Sequence, residues 1–111
     1  MPESQDRSPL TEAVYYILLA LHTPMHGYGI MQFVKELSQE RVNLGAGTLY
    51  GAINTLLEKG YIKALPSDND SRKKEYEITP LGKNVVLDEI ERLQELIEQG
   101  RTIVRGDGNE I

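Results

Sequence analysis

The 111-residue sequence has no cysteine, no tryptophan and only one phenylalanine. The missing cysteine excludes disulfide scaffolds, thiolate zinc sites and cysteine nucleophiles together, and it fits a reducing cytoplasm. The longest apolar stretch, Ala13 to Leu21, includes two tyrosines and falls far short of the roughly 20 residues that a bilayer span needs. The polar, acidic start also differs from a secretory signal. We therefore expect a cytoplasmic protein of one domain with no membrane partner.

Positive charge is scarce overall and concentrated in one short segment. The net charge is -5, yet residues 59–74 hold five basic and two acidic residues. Charges act over a Debye length of about 8–10 Å, so phosphate binding depends on a local patch and not on the sum. The segment therefore predicts a phosphate-binding surface on an otherwise acidic protein.

Two helices are predicted before the middle of the chain. The first begins at Ser8, an N-cap residue followed by Pro9 at a position where its missing N–H does no harm, and it ends before Pro24. The second spans Tyr28 to Leu37 and is entered through a short turn at Met25-His26-Gly27. The apolar stripe of the first helix recurs at helical spacing and comprises Leu10, Val14, Ile17, Leu18 and Leu21.

A third helix is predicted from Thr48 to Lys59, where Gly60 supplies a left-handed stop. Its apolar face comprises Leu49, Ile53, Leu56 and Leu57. The opposite face is small and polar and comprises Thr48, Gly51, Asn54, Thr55 and Glu58. Such a surface allows another molecule to approach the helix closely.

The apolar spacing then changes to two, which predicts a β-hairpin with strands at residues 61–65 and 74–79. Tyr76 and Ile78 lie on one face of the second strand. Thr79 and Pro80 repeat the cap-and-proline signal and open a long final helix. Its acidic residues, Glu89 among them, are expected on solvated faces. Its apolar residues are spaced 4, 3 and 4, the coiled-coil interval, and comprise Val86, Ile90, Leu93 and Ile97.

These elements predict a mainly α fold with a small β-hairpin: a winged helix-turn-helix followed by a C-terminal dimerisation helix. The winged helix-turn-helix domain covers residues 1–79, with the wing at about 61–79. The dimerisation helix covers 80–104, and 105–111 form a flexible tail. In this arrangement the second helix braces the third, which can enter a DNA major groove about 12 Å wide.

No constellation of residues indicates catalysis or a bound metal or cofactor. His22 and His26 are four apart, but Pro24 lies between them and a third ligand is missing. The segment Gly45-Ala46-Gly47 lacks the lysine and spacing of a phosphate-binding loop. We therefore expect a protein that is not an enzyme and has neither metal nor cofactor.

Four segments, taken in order, resemble the PadR family of transcriptional regulators. They are Gly27-Tyr28-Gly29-Ile30, Gly47-Thr48-Leu49-Tyr50, the run from Leu57 to Ile62 and the run from Arg72 to Gly82. The resemblance covers Leu10 to Ile97, and the ordered combination is what makes it specific. The length is similar to that of the compact branch, which keeps a single C-terminal helix.

This resemblance implies a bacterial homodimer that binds pseudo-palindromic promoter DNA as a repressor and is released by a small-molecule effector. It implies a dimer interface between the first and last helices, through the stripes Leu10, Val14, Ile17 and Leu18, and Val86, Ile90, Leu93 and Ile97. It assigns DNA contacts to Thr48, Tyr50, Asn54 and Thr55 on the third helix, and to Arg72, Lys73 and Lys74 on the wing. The alternative roles are half-buried packing for Tyr50, ordinary solvated positions for Asn54 and Thr55, and a solubilising turn for the three wing cations.

Two further residues complete the predicted DNA-binding set. Gly51 lies on the same small face, where the family usually has proline. Tyr28 lies at a helix N-terminus that favours anions, and packing is its alternative role.

The effector and the partner class stay open at the level of sequence. Some compact members of the family hold planar drugs between tryptophans of the last helix, but this chain has Leu93 near that place. A small apolar or aromatic effector therefore needs an apolar pocket at the dimer centre or a site elsewhere. The alternative function is a winged-helix module for protein–protein contact without DNA binding, which the net acidity and Glu58 favour.

Overall fold

A computed structural model describes residues 8–66 and 74–106. Their elements are α1 (Glu12–Ala20), β1 (Met25–His26), α2 (Gly27–Leu37), α3 (Ala46–Lys59), β2 (Ile62–Ala64), β3 (Glu75–Ile78) and α4 (Pro80–Val104). The fold is mainly helical with a small antiparallel sheet, as predicted for a winged helix. Within these residues, no helix combines the length and apolarity needed to cross a bilayer. Residues 107–111, most of the predicted tail, lie outside the described residues.

The start of α1 differs from the prediction. Thr11, not Ser8, caps the helix, because its Oγ1 accepts a hydrogen bond from the backbone N–H of Val14 at 3.1 Å. The backbone N–H of Leu10 instead donates to the carboxylate of Glu89 at 3.4 Å. Residues 8–10 are therefore a lead-in segment that lies ahead of α1.

Two other capping signals act as predicted. Gly60 ends α3 in the left-handed conformation, with φ of 78°. Thr79 caps α4: its Oγ1 accepts from the backbone N–H of Gly82 at 3.1 Å, and Pro80 occupies the first turn. These caps fix where the sheet meets the helices on either side of it.

The sheet has three strands and not the two of the predicted hairpin. Its order is β1-β3-β2, and Met25 pairs with Tyr76 while Ile62 pairs with Ile78. The prediction of a simple turn at Met25-His26 is therefore wrong, because the turn's backbone supplies the edge strand β1. The predicted inward face of β3 is confirmed, since Tyr76 and Ile78 are both buried.

Three residues of the predicted dimer interface lie instead in the core of the protomer. Ile17, Leu18 and Val86 are almost completely buried among the helices and the sheet. Their side chains cannot reach a second subunit, so their assignment to the interface is wrong. An apolar stripe on a helix predicts burial, but it does not say whether the chain itself or a partner covers the stripe.

Glu89 is also buried, although it was expected to be solvated. The residue is 5% exposed. Its carboxylate receives two hydrogen bonds from Arg92, Nε to Oε1 at 2.9 Å and Nη2 to Oε2 at 2.7 Å. With the bond from Leu10, these partners compensate the cost of burying a charge.

We expect the fold to lose stability in acid because of this carboxylate. Hydrogen bonds from Arg92 hold the pKa of Glu89 below its ordinary value of 4.5, although burial opposes them. A lowered pKa contributes stability that is fully present above the ordinary value and is lost as the pH falls through the folded-state value. Urea unfolding against pH should show a smaller acid loss for Glu89→Gln than for the wild type. Glu91→Gln, an exposed site on the same helix, is the matched control, and equal losses in all three proteins would contradict the assignment.

Candidate nucleic-acid interface

The outer face of α3 is exposed along its whole length. Leu49, Ile53 and Leu56 anchor the opposite face in the core. The predicted DNA-binding residues of this helix are all exposed: Thr48, Tyr50, Gly51, Asn54 and Thr55. Their contact with DNA stays a prediction, but the fold leaves them available for it.

This face carries little that would obstruct a ligand. A Cβ added at Gly47 or at Gly51 would have no neighbour within 4 Å. The Thr55 hydroxyl donates to the carbonyl of Gly51 at 3.2 Å, so it lies against its own helix. The N-cap residue Gly45 makes no side-chain cap bond, which leaves backbone N–H groups of the first turn open to an anion.

Tyr50 joins α3 to the start of α2. An ideal Cβ on Gly27 would lie 2.1 Å from the Tyr50 hydroxyl oxygen, so the phenol is in contact with the glycine backbone. Burial raises the pKa of Tyr76, and the nearby Tyr50 adds to the rise. Tyr50 is nevertheless 42% exposed. The resemblance assigned Tyr50 a DNA contact, but nothing in the sequence indicated its close contact with Gly27.

We expect Gly27→Ala to destabilise the protein by about 1–3 kcal/mol, the usual cost of overpacking. The new methyl group would collide with the Tyr50 phenol, whereas in a Tyr50→Ala background that collision is absent. Urea unfolding of the wild type, the two single variants and the double variant measures the coupling. Additive effects of the two changes would contradict the contact.

The N-terminus of α2 lies beside this contact. His26 caps α2, and its Nδ1 accepts from the backbone N–H of Gly29 at 3.2 Å. The next-but-one residue, Tyr28, is 64% exposed. His26 pairs with Glu75 on β3, so Lys74, the residue before Glu75 in the chain, lies close to the start of α2. The fold therefore gathers Tyr28, Tyr50 and Lys74 around the start of α2.

The basic segment is only partly within the described residues. Lys59 lies 5.9 Å from the centre of the Tyr61 ring, and Lys63 is 4.0 Å from a carboxylate oxygen of Glu77. Of the predicted wing cations, Lys74 is described and exposed. Arg72 and Lys73 lie outside the described residues. The described part of the interface thus holds less positive charge than the sequence segment suggests.

The distal half of α4 exposes an apolar surface. A groove of about 400 Å³ runs along it, lined by Leu96, Ile97, Gly100, Arg101, Val104 and Arg105. Among the predicted dimerisation residues, Ile97 is 51% exposed, while Leu10, Val14, Ile90 and Leu93 are half-buried. The sequence reasoning missed Leu96 and Val104, although the 4-3-4 spacing continues through Gly100 to Val104.

Both histidines use one ring nitrogen in a hydrogen bond within the fold. A ring nitrogen of His22 lies 3.0 Å from the carbonyl of Leu18, and His26 caps α2. Over residues 8–66 and 74–106, no group of three or more potential ligands could hold a metal ion.

Comparison with known proteins relates the chain to a family of transcriptional regulators. The model of the transcriptional regulator PadR-like family matches residues 16–88. Among curated protein sequences, none matches the chain.

Several solved structures are similar to the chain over most of its length. RosR of H. salinarum is 27% identical with a TM-score of 0.67, and the match covers 95% of this chain and 96% of that one. A transcriptional regulator from Clostridium thermocellum is 22% identical with a TM-score of 0.66, covering 89% and 93%, and this likeness shows the fold. Bacillus subtilis PadR, solved in complex with operator DNA, is 25% identical with a TM-score of 0.63, covering 74% and 48%.

Proposed function

Because the chain belongs to the PadR-like family of transcriptional regulators, we propose that it is a homodimeric repressor of transcription. It binds a pseudo-palindromic DNA operator and leaves it when a small apolar or aromatic molecule binds. Family membership also confirms the prediction that the chain is not an enzyme. As a regulator of chromosomal promoters it would work in the cytoplasm.

The observation that carries the proposal is the unobstructed face of α3 beside the start of α2. Residues such as Asn54 can donate and accept hydrogen bonds at base edges in the major groove. Tyr28 and Lys74 are exposed near the start of α2, and we assign them to contacts with the DNA backbone beside that groove. Bacillus subtilis PadR, a structural relative, has been solved on operator DNA. A second subunit would place a second α3 about 34–36 Å away, one turn of the duplex.

The apolar surface of α4 supports the homodimer. A chain of this size buries only about 60–70% of its unfolded surface, and exposed apolar residues of this kind are usually covered by a partner. Leu93 and Ile97 would lie at the centre of such an interface. An effector bound there would make apolar contacts with them in place of aromatic stacking.

Salt dependence of DNA binding tests the interface directly. Each phosphate contact that is lost should lower the slope of log affinity against log salt by about 0.9. Lys74→Ala should therefore flatten the slope by about 2 in a dimer, since it removes one contact per subunit. Lys73→Ala tests the neighbouring wing position in the same way. Lys63→Ala is the matched control, because Lys63 is already close to Glu77; an unchanged slope for Lys74→Ala would contradict a phosphate contact there.

A second candidate function is a winged-helix module for protein–protein contact. The net charge of -5 and exposed Glu58 at the end of α3 favour it, since both repel phosphate. A wild-type protein that binds no duplex from a random library, even at low salt, would favour this function over the regulator.

A further inference from the structure

The buried carboxylate of Glu89 lies where α4 crosses the lead-in to α1. It receives hydrogen bonds from the Leu10 backbone and, through two atoms, from the Arg92 guanidinium. Arg92 comes from the same helix, three residues further on, and its side chain is mostly covered. The carboxylate thus ties one helix, α4, to the lead-in of α1 at one charged point.

A buried ion pair such as Glu89–Arg92 contributes little net stability. Apolar side chains of similar size often stabilise a buried site as well as an ion pair does. Hydrogen bonds, however, have directions: Arg92, bonded through two atoms, holds the Glu89 carboxylate in a narrow range of orientations on α4, and the bond from Leu10 then orients the lead-in on that helix. The tie therefore restricts geometry more than it adds stability.

The lead-in that Glu89 holds also lines a cleft together with the helix proposed to bind DNA. Leu10 and Val14 form one wall of a cleft of about 220 Å³. Its other walls include Thr55 and Lys59 of α3 and Val85 of α4. A shift of the lead-in on α4 would therefore change how α4 lies against α3.

Small changes of angle at Glu89 are amplified along α4. The helix continues to Val104, which at 1.5 Å per residue is a lever of about 22 Å, so a rotation of about 10° moves its end by about 4 Å. The exposed apolar groove lies on this lever. In any dimer formed through the groove, the angle between α4 and the winged helix therefore determines how the two subunits are arranged.

We propose that Glu89 is a positioning residue that fixes, through Leu10 and Arg92, the angle at which α4 leaves the winged helix. In the homodimer of the proposed function, on which this inference rests, that angle sets the separation of the two α3 helices. Glu89 thereby determines which half-site spacing the protein accepts, although it does not face the DNA.

A spin-label distance measurement tests the angle without DNA. Because the chain has no cysteine, Glu58→Cys at the exposed end of α3 gives one labelling site per subunit. We expect a narrow distribution of label–label distances in the otherwise wild-type dimer and a broader or shifted one, by several ångströms, when Glu89→Gln is added. Glu91→Gln removes the same charge from an exposed position of α4 and should leave the distribution unchanged.

A second measurement uses duplexes whose half-sites are moved apart or together by one base pair. Glu89→Gln should reduce the discrimination between spacings by about threefold or more, with unchanged base preference within each half-site. A purely stabilising role of Glu89 would lower the affinity for all spacings alike.

The outcomes separate this inference from the proposed function. An unchanged distance distribution in Glu89→Gln, an equal broadening in Glu91→Gln, or a monomeric wild type would overturn the positioning role. A clear distance effect in a protein that binds no duplex would instead support the positioning role and reject the regulator. If Glu89→Gln fails to fold, Arg92→Lys keeps the charge but loses the two-atom geometry. It should give an intermediate broadening, and a wild-type distribution there would equally overturn the inference.

Discussion

Ile97→Glu should leave the protein monomeric and weaken its binding to a palindromic operator at least about 100-fold, the usual contribution of bivalent attachment. Ile97 is half-exposed and lies in the apolar groove of α4. If a second subunit covers this groove, the substitution replaces an apolar contact by a carboxylate that must lose its water, a cost of several kcal/mol that Arg101 of the same groove compensates only in part. Glu95 and Glu98 nearby add repulsion between the subunits. Sedimentation and operator titration measure the two effects on one preparation.

Leu81→Glu is the matched control for this prediction. Leu81 is as exposed as Ile97, at 51%, and it lies in the first turn of the same helix, near Gly60. The control should remain dimeric and retain its affinity for the operator. A dimeric Ile97→Glu protein, or equal effects of the two substitutions, would show that the distal half of α4 is not the interface.

Gly82→Ala should cost about 3 kcal/mol or more, at the upper end of what overpacking does. An ideal Cβ there lies 2.1 Å from the carbonyl oxygen of Tyr61 and 2.7 Å from Cγ1 of Ile78. The Tyr61 carbonyl cannot easily move away, because it accepts a hydrogen bond from the backbone N–H of Thr79 at 3.0 Å. Relief of the clash therefore requires α4 to move away from the sheet.

Thermal unfolding measures this effect, as a fall in the melting temperature of roughly 10–20 °C for a domain of this size. Gly51→Ala is the control: it makes the same change within a helix, with no neighbour within 4 Å. It should stabilise the protein by about 0.5–1 kcal/mol through helix propensity. Similar melting temperatures for the two variants would contradict the close packing of α4 on Tyr61.

The order of elements was predictable from the sequence because the signals for it are local. Gly60 and the Thr79-Pro80 pair mark helix ends by their own stereochemistry, independent of what surrounds them. The alternation at Tyr76 and Ile78 likewise indicates a strand with one buried face. Such features need no knowledge of the rest of the chain.

Features that depend on contacts between distant residues were not predictable. Met25 and His26 form a strand only because β3 lies beside them. The bond between the lead-in of α1 and Glu89 likewise joins distant parts of the chain, because Glu89 is 79 residues from Leu10. The stripe containing Ile17 predicted burial correctly, but the sequence could not tell the protomer's own core from a subunit interface.

The candidate site divides in the same way. The exposure of Asn54 and Thr55 follows from their positions opposite Leu49 and Ile53 on one helix. The contact between Tyr50 and Gly27 joins two helices, and no spacing in the sequence encodes it. Sequence reasoning thus predicted which residues face outward, but not how the start of α2 and β3 come to lie beside them.

Base preference of the wild type and of Asn54→Ala, selected from a random duplex library, tests most directly whether the outer face of α3 binds DNA by sequence. The account predicts that the wild type selects an inverted repeat and that Asn54→Ala changes the preferred base at a position in each half-site. The same selected sequence for both proteins, with binding weakened equally on every duplex, would contradict a base-specific role for this face.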